Sequence, residues 1–182
     1  MYNMKIKKIT VREICVIAML LALTVVLSYL SGYLRIGTFM KFSISFISVY
    51  IAAMLYGPLA GGFVGAAADM ISCFVIPMGA LIWEITVMEF LYGLLFGILF
   101  YRGRFFIKNI YFRVILCSVI RFLADLIIKT VVLSNYGFAP QKFSVAFINR
   151  APGCIAMFVL TCLVLYVSER VYADKFIKMV KN

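Results

Sequence analysis

The sequence predicts an all-α, polytopic membrane protein: six transmembrane helices in one bundle, with both termini in the cytoplasm. Three observations carry this. Hydrophobic residues make up 65% of the 182, at a mean hydropathy of +1.09, which is more apolar surface than a soluble domain of this length can hide. The apolar residues fall into six runs with only short polar stretches between them. The Lys and Arg residues behind the formal charge of +11 gather at the ends of those runs, as topology signals do, rather than interleaving as a nucleic-acid-binding groove would require.

The first run, 11–30, follows a lysine-rich start that resembles a secretory signal. It is long for a signal core, and "SYLSGYLR" offers no small-x-small cleavage site, so it reads as a retained helix. It carries Ala18 and Ala22, an alanine pair one turn apart. The second run, 42–56, is short for a full crossing. Only "YGP" separates it from the third, 58–76, and Gly followed by Pro makes a tight turn. Gly57, Gly61 and Gly65 recur at four-residue spacing there, with Gly62 and Ala66 to Ala68 beside them; such small-residue faces let helices approach closely in lipid. Asp69 lies in the later half of this run. The fourth run, 81–101, begins with Trp83 and Glu84, reaches Glu89, and adds Gly93 and Gly97. The fifth, 111–133, holds Arg121, Asp125 and Lys129 at four-residue spacing, which places all three on one stripe of a helix. Facing lipid, each would cost roughly 2.5–3.5 kcal/mol, so the stripe is expected to face the bundle interior. The sixth run, 145–168, begins near Asn149 and Arg150. No linker interrupts the series, so residues 1–182 read as one domain.

Orientation follows from the basic residues. With the amino terminus inside, Lys5, Lys7, Lys8, Arg12, Arg102, Arg104, Lys108, Arg113, Arg170, Lys175, Lys178 and Lys181 fall on the inner side, while Arg35, Lys41 and Lys142 fall outside. The positive-inside rule then fixes both termini in the cytoplasm. It also gives depth: Asp69, Glu84 and Glu89 share the outer half of the membrane with Lys129 and Arg150. Ionisable groups at such depth turn to the interior and mark function, or else pair among themselves and lock the bundle. For Arg121 and Asp125, i,i+4 partners, local pairing is the simpler reading. For the outer group, charges from several helices near an indole suit an amphoteric aromatic solute. Carboxylates accept paired ring N–H donors, while Lys and Arg meet the solute's own carboxylates. The candidate binding residues are therefore Trp83, Glu84, Lys129, Asn149, Arg150, Asp69, Glu89 and, in the first outer loop, Arg35. Whether Lys129 meets the solute, Glu84 or Asp69 stays open.

Other classes lose ground on composition. There is no histidine, the commonest general base and metal ligand, and Cys15, Cys73, Cys117, Cys154 and Cys162 sit inside apolar runs as small core residues. No G-x-x-x-x-G-K-[ST], H-E-x-x-H or G-x-S-x-G occurs, so no ATP-binding loop, zinc-protease helix or nucleophile elbow is present, and no metal or catalytic residue is expected. A small chain with an outer pocket and no energy motif points to a capture subunit needing an engine.

Three stretches carry a resemblance to a known family: "AMLLALTVVLSYL" (Ala18–Leu30), "FSISFISVYIAAMLYGPLAGGFVGAAADMI" (Phe42–Ile71) and "EFLYGLLFGILFYR" (Glu89–Arg102). They resemble the substrate-binding S components of energy-coupling factor (ECF) vitamin transporters, the folate family most closely. The resemblance implies six helices around an outward-facing cavity roofed by loops, with folate or a related vitamin as the ligand. It also implies docking through Ala18 and Ala22 onto a membrane scaffold subunit carried by two cytoplasmic ATPases. On this reading the chain is a transport subunit of the bacterial plasma membrane that needs no cofactor of its own, ATP being used by its partners. The sequence departs from the family in "PMGALIWEITVMEF", where a Tyr-Phe-Pro-Gly-type loop is usual, and in "DLIIKT". Another nutrient, such as pantothenate or a queuosine precursor, is the alternative within the class. A stand-alone carrier using Glu89 or Asp69 as the proton-titrating group is the alternative outside it.

Overall fold

The structure is a computed structural model, and it describes residues 10–33, 35–36, 40–41, 43–75, 82–101, 109–137 and 143–171. Six helices follow the six apolar runs: α1 (Val11–Tyr33), α2 (Phe46–Tyr56), α3 (Pro58–Val75), α4 (Trp83–Phe100), α5 (Ile110–Asn135) and α6 (Phe143–Val171). Between α1 and α2 the chain also forms a short antiparallel hairpin, β1 (Arg35–Ile36) and β2 (Met40–Lys41), in which Arg35 pairs with Lys41 and Ile36 with Met40. Four helices are long and apolar enough to cross a membrane: α1, α3, α4 and α6. α2 has only 11 residues, roughly 16 Å, half a hydrocarbon core. α5 has length enough at 26 residues, but four charges, Arg113, Arg121, Asp125 and Lys129, break its apolar character.

Neighbouring helices run antiparallel, and glycines set how closely they do so. A β-carbon on Gly93 would overlap the backbone of Gly61 and Gly62, and one on Gly97 would overlap Pro58. The start of α3 therefore lies against the end of α4, backbone on backbone, a contact open only to residues without side chains. Further along, a β-carbon on Gly65 would stand 2.7 Å from the main-chain oxygen of Glu89. Gly57 turns the chain from α2 into α3 at a φ of 99°, a left-handed conformation that glycine adopts without strain.

The core forms where α2, α4, α5 and α6 meet. Tyr50 is fully buried and meets Phe96 and Phe100 edge to face, with ring centroids 5.8 and 5.2 Å apart, the geometry that aromatic quadrupoles favour. Cys117 of α5 and Leu165 of α6 close it. All five cysteines are free. At the end where α1 stops and α2 begins, the Ser31 hydroxyl donates to the Leu27 carbonyl at 2.7 Å and accepts from the Ile44 amide at 3.0 Å. This ties the base of the hairpin connection to α1. That end also holds the last residues of α3 and α5 and the first of α4 and α6, and β2 packs on α6.

Candidate functional site

The charged stripe of α5 faces inward, and each of its members has partners. Arg121 is 6% exposed. Its guanidinium lies over the ring of Phe46 at 4.6 Å, with Tyr92 at 5.4 Å and Phe96 at 5.8 Å. The electron-rich ring faces stabilise a cation that water no longer reaches. Its Nε stands 3.8 Å from Asp125. Asp125 accepts a hydrogen bond from the Tyr92 hydroxyl at 3.1 Å and faces the Lys129 ammonium at 3.6 Å. Lys129 in turn donates to Glu89 of α4 at 3.3 Å. Arg150 of α6 donates from Nη1 to the main-chain carbonyl of Lys129 at 3.3 Å. One polar chain thus links α4, α5 and α6, with α2 supplying the ring beneath Arg121. Charges withdrawn from water persist only where opposite charges and hydrogen bonds offset the lost hydration. Asp125 and Lys129 have both, while Arg121 rests on Asp125 and the rings, its buried Nη1 making no hydrogen bond among the described residues.

A narrow crevice with a cavity volume of about 10 Å³ lies along the same stripe, between α5 and α6. Arg121, Asp125 and Ser118 face it from α5; Cys154, Met157 and Thr161 face it from α6. Phe122 and Phe158 meet across it with centroids 5.6 Å apart.

The structure brings three of the expected residues, Glu89, Lys129 and Arg150, into one network, and it joins Arg121 with Asp125. Among the described side chains, Asp69, Glu84, Trp83 and Asn149 stand elsewhere. Asp69 accepts a hydrogen bond from Thr86 at 2.7 Å, which ties α3 to α4. Glu84 is exposed and accepts from the Tyr136 hydroxyl at 3.0 Å. That carboxylate raises the Tyr136 phenol above its ordinary value, so the hydroxyl keeps its proton and stays a donor. Trp83 is 62% exposed, and Asn149 is exposed one residue before Arg150. Arg35 is described through its backbone, in β1. The stretches 76–81 and 138–142, which include most of "PMGALI", lie outside the described residues. Ala18 and Ala22 are both exposed on α1, next to exposed Cys15, Met19 and Val26.

Sequence reasoning did not single out Tyr92, Phe46 or Phe96. For the two on α4 a signal existed: Tyr92 and Phe96 stand three and seven residues after Glu89, on the same helical face. Phe46 belongs to another helix, and no local pattern connects it to Arg121. Among the described residues no three His, Cys, Asp or Glu side chains stand together as metal ligands.

A second buried pair closes the opposite end. Arg113, at the start of α5, donates to Glu169 of α6 at 3.1 Å and to the Leu99 carbonyl of α4 at 3.3 Å, with the Phe100 ring 5.7 Å away. This pair ties three helix ends together, far along the bundle from Lys129.

Comparison with known proteins matches this architecture. The model for the ECF transporter substrate-specific component covers residues 12–168. The folate transporter FolT of Clostridium novyi (strain NT) is 28% identical over 140 residues, which is 77% of this chain and 75% of FolT. The crystal structure of FolT bound with folic acid shares the fold at a TM-score of 0.74 and 22% identity, covering 86% of this chain and 92% of that one.

Proposed function

The chain belongs to the family of ECF transporter substrate-specific components, and on that premise we propose that it captures folate, or a closely related pterin, at the loop-bearing end of the bundle. The observation that carries this reading is the likeness to the Clostridium novyi folate transporter over three-quarters of both chains. The chemistry of the described residues supports it. Folate joins a flat heterocycle with several N–H donors to a tail of carboxylates. A site for it needs acceptors, cations and aromatic surface within a few ångströms of one another. Glu89, Asp125, Lys129 and Arg150 provide the charges in a connected set, and Tyr92 lies within it. Trp83, exposed at the start of α4, offers an indole on which a ring can stack.

Delivery belongs to partners. The chain lies in the bacterial plasma membrane and binds without hydrolysing anything. It passes its ligand inward when docked, through the α1 face around Ala18 and Ala22, on a transmembrane scaffold subunit with two cytoplasmic ATPases. Small exposed residues one turn apart permit the backbone-close helix contact such docking needs.

A calorimetric titration of the purified protein against folate tests the reading, with a panel of other small nutrients, pantothenate and a queuosine precursor among them, alongside. One-to-one folate binding without ATP is expected. A blank for folate with a signal for another nutrient moves the ligand and leaves the class; the departure at "PMGALIWE" makes this the second reading. Uptake into proteoliposomes by this chain alone, driven by a pH gradient, would replace the capture role with a carrier.

A further inference from the structure

Two basic residues at the loop-bearing end are candidates to read the carboxylates of an anionic solute, and the structure separates them. The Lys129 ammonium is bracketed by two carboxylates, Glu89 at 3.3 Å and Asp125 at 3.6 Å. Arg150 differs. Among the described residues its side chain makes one hydrogen bond, to the neutral main-chain carbonyl of Lys129, and no described carboxylate lies within ion-pair distance of it. A guanidinium carries five N–H donors in a planar fork that fits a carboxylate two bonds at a time. One donor anchored on a helix carbonyl leaves the rest of the fork to act and fixes its direction. Formal charge points the same way: Arg121, Lys129 and Arg150 meet two carboxylates, Glu89 and Asp125, leaving one positive charge in excess. Arg150 is half-buried, and a half-buried excess cation is stabilised when an anion joins it.

We propose that Arg150, and not Lys129, pairs with the carboxylate of the captured solute, while Lys129 is the bundle's own counter-ion for Glu89 and Asp125. The proposal rests on the folate reading above and deepens it by dividing the roles of two cations that sequence alone leaves equivalent. It also assigns the loop-bearing start of α6, against which β2 packs, to the acidic tail of the ligand.

The test compares full-length wild type, Arg150→Gln, Arg150→Lys and Lys129→Gln by calorimetry with folate and with a pterin lacking carboxylates, alongside melting curves in detergent. Arg150→Gln should weaken folate by about 10- to 100-fold, the worth of a charge-assisted hydrogen bond in a desolvated site, while leaving the carboxylate-free pterin and the melting temperature unchanged. Arg150→Lys, which keeps the charge and loses the fork, should fall between, and it carries the test if Arg150→Gln is not recovered folded. Lys129→Gln should lower the melting temperature and weaken both compounds together. Arg150 variants that bind folate like the wild type, or a Lys129→Gln protein that loses folate alone, would overturn the assignment while folate capture stands. A wild type that binds neither compound overturns the folate reading and this assignment with it.

Discussion

Asp125 has three polar partners: Arg121 one turn before it, Lys129 one turn after, and the Tyr92 hydroxyl from α4. Its replacement by Asn keeps the shape and the hydrogen bond from Tyr92 but leaves two cations facing a neutral amide. Removing one partner of a buried ion pair strands the other charge, so Asp125→Asn should cost about 3 kcal/mol, read as a lower melting temperature in detergent. A double variant, Asp125→Asn with Arg121→Met, should recover part of the loss, because the cation left without its carboxylate goes too, while Lys129 keeps Glu89. At this scale the sequence was half legible. Four-residue spacing gave the α5 stripe and the Arg121–Asp125 pair directly. The partner of Lys129 does not follow: depth leaves Glu84 and Asp69 open, and only the rotation of α4 favours Glu89, about 7.5 Å along the helix from Glu84. Five residues turn a helix by about 500°, so the two acids point roughly 140° apart. Glu89 shares the buried face of Tyr92 and Phe96, while Glu84 looks outward to Tyr136.

Helices met their expected bounds within a few residues, because long apolar runs broken by Gly, Pro and charge leave little choice. The β1–β2 hairpin was not anticipated: two-residue strands within "SGYLRIGTFMK" carry no alternating pattern long enough to read. The glycines of α3 and α4 were legible as a packing face, but their connection to the site was not. Gly65 touches the backbone of Glu89 itself, so the closeness of α3 to α4 sets where the Glu89 carboxylate stands relative to Lys129. Gly65→Ala places a β-carbon 2.7 Å from the Glu89 carbonyl oxygen and should destabilise by about 1–3 kcal/mol while also weakening folate binding. Gly97→Ala, crowding Pro58 more severely at the far end of the same interface, should lower the melting temperature at least as much and leave the affinity of the folded protein unchanged. Calorimetry beside melting curves distinguishes the two. Equal losses of affinity in both would mean that the network does not depend on local registry.

For the whole molecule, the asymmetry of Lys and Arg predicts that both termini face the cytoplasm. Tags on either end should resist impermeant reagents in intact cells and react after lysis. The exposed alanines of α1 make a second prediction: Ala18→Leu with Ala22→Leu should spare folate binding by the isolated chain and abolish folate uptake by cells that also hold the ATP-driven module. Loss of binding would instead assign those alanines to packing within the bundle. The helices also differ in length. α3 and α4 have 18 residues each, roughly 27 Å, against 23 in α1 and 29 in α6, roughly 35 and 43 Å. Among the described residues the helical spans are therefore unequal, and where spans of unequal apolar length border one bilayer, the acyl chains beside the shorter compress or lean relative to those beside the longer. A bilayer of shorter-chain lipids should fit one flank and strain the other, so thickness alone can bias how the molecule leans.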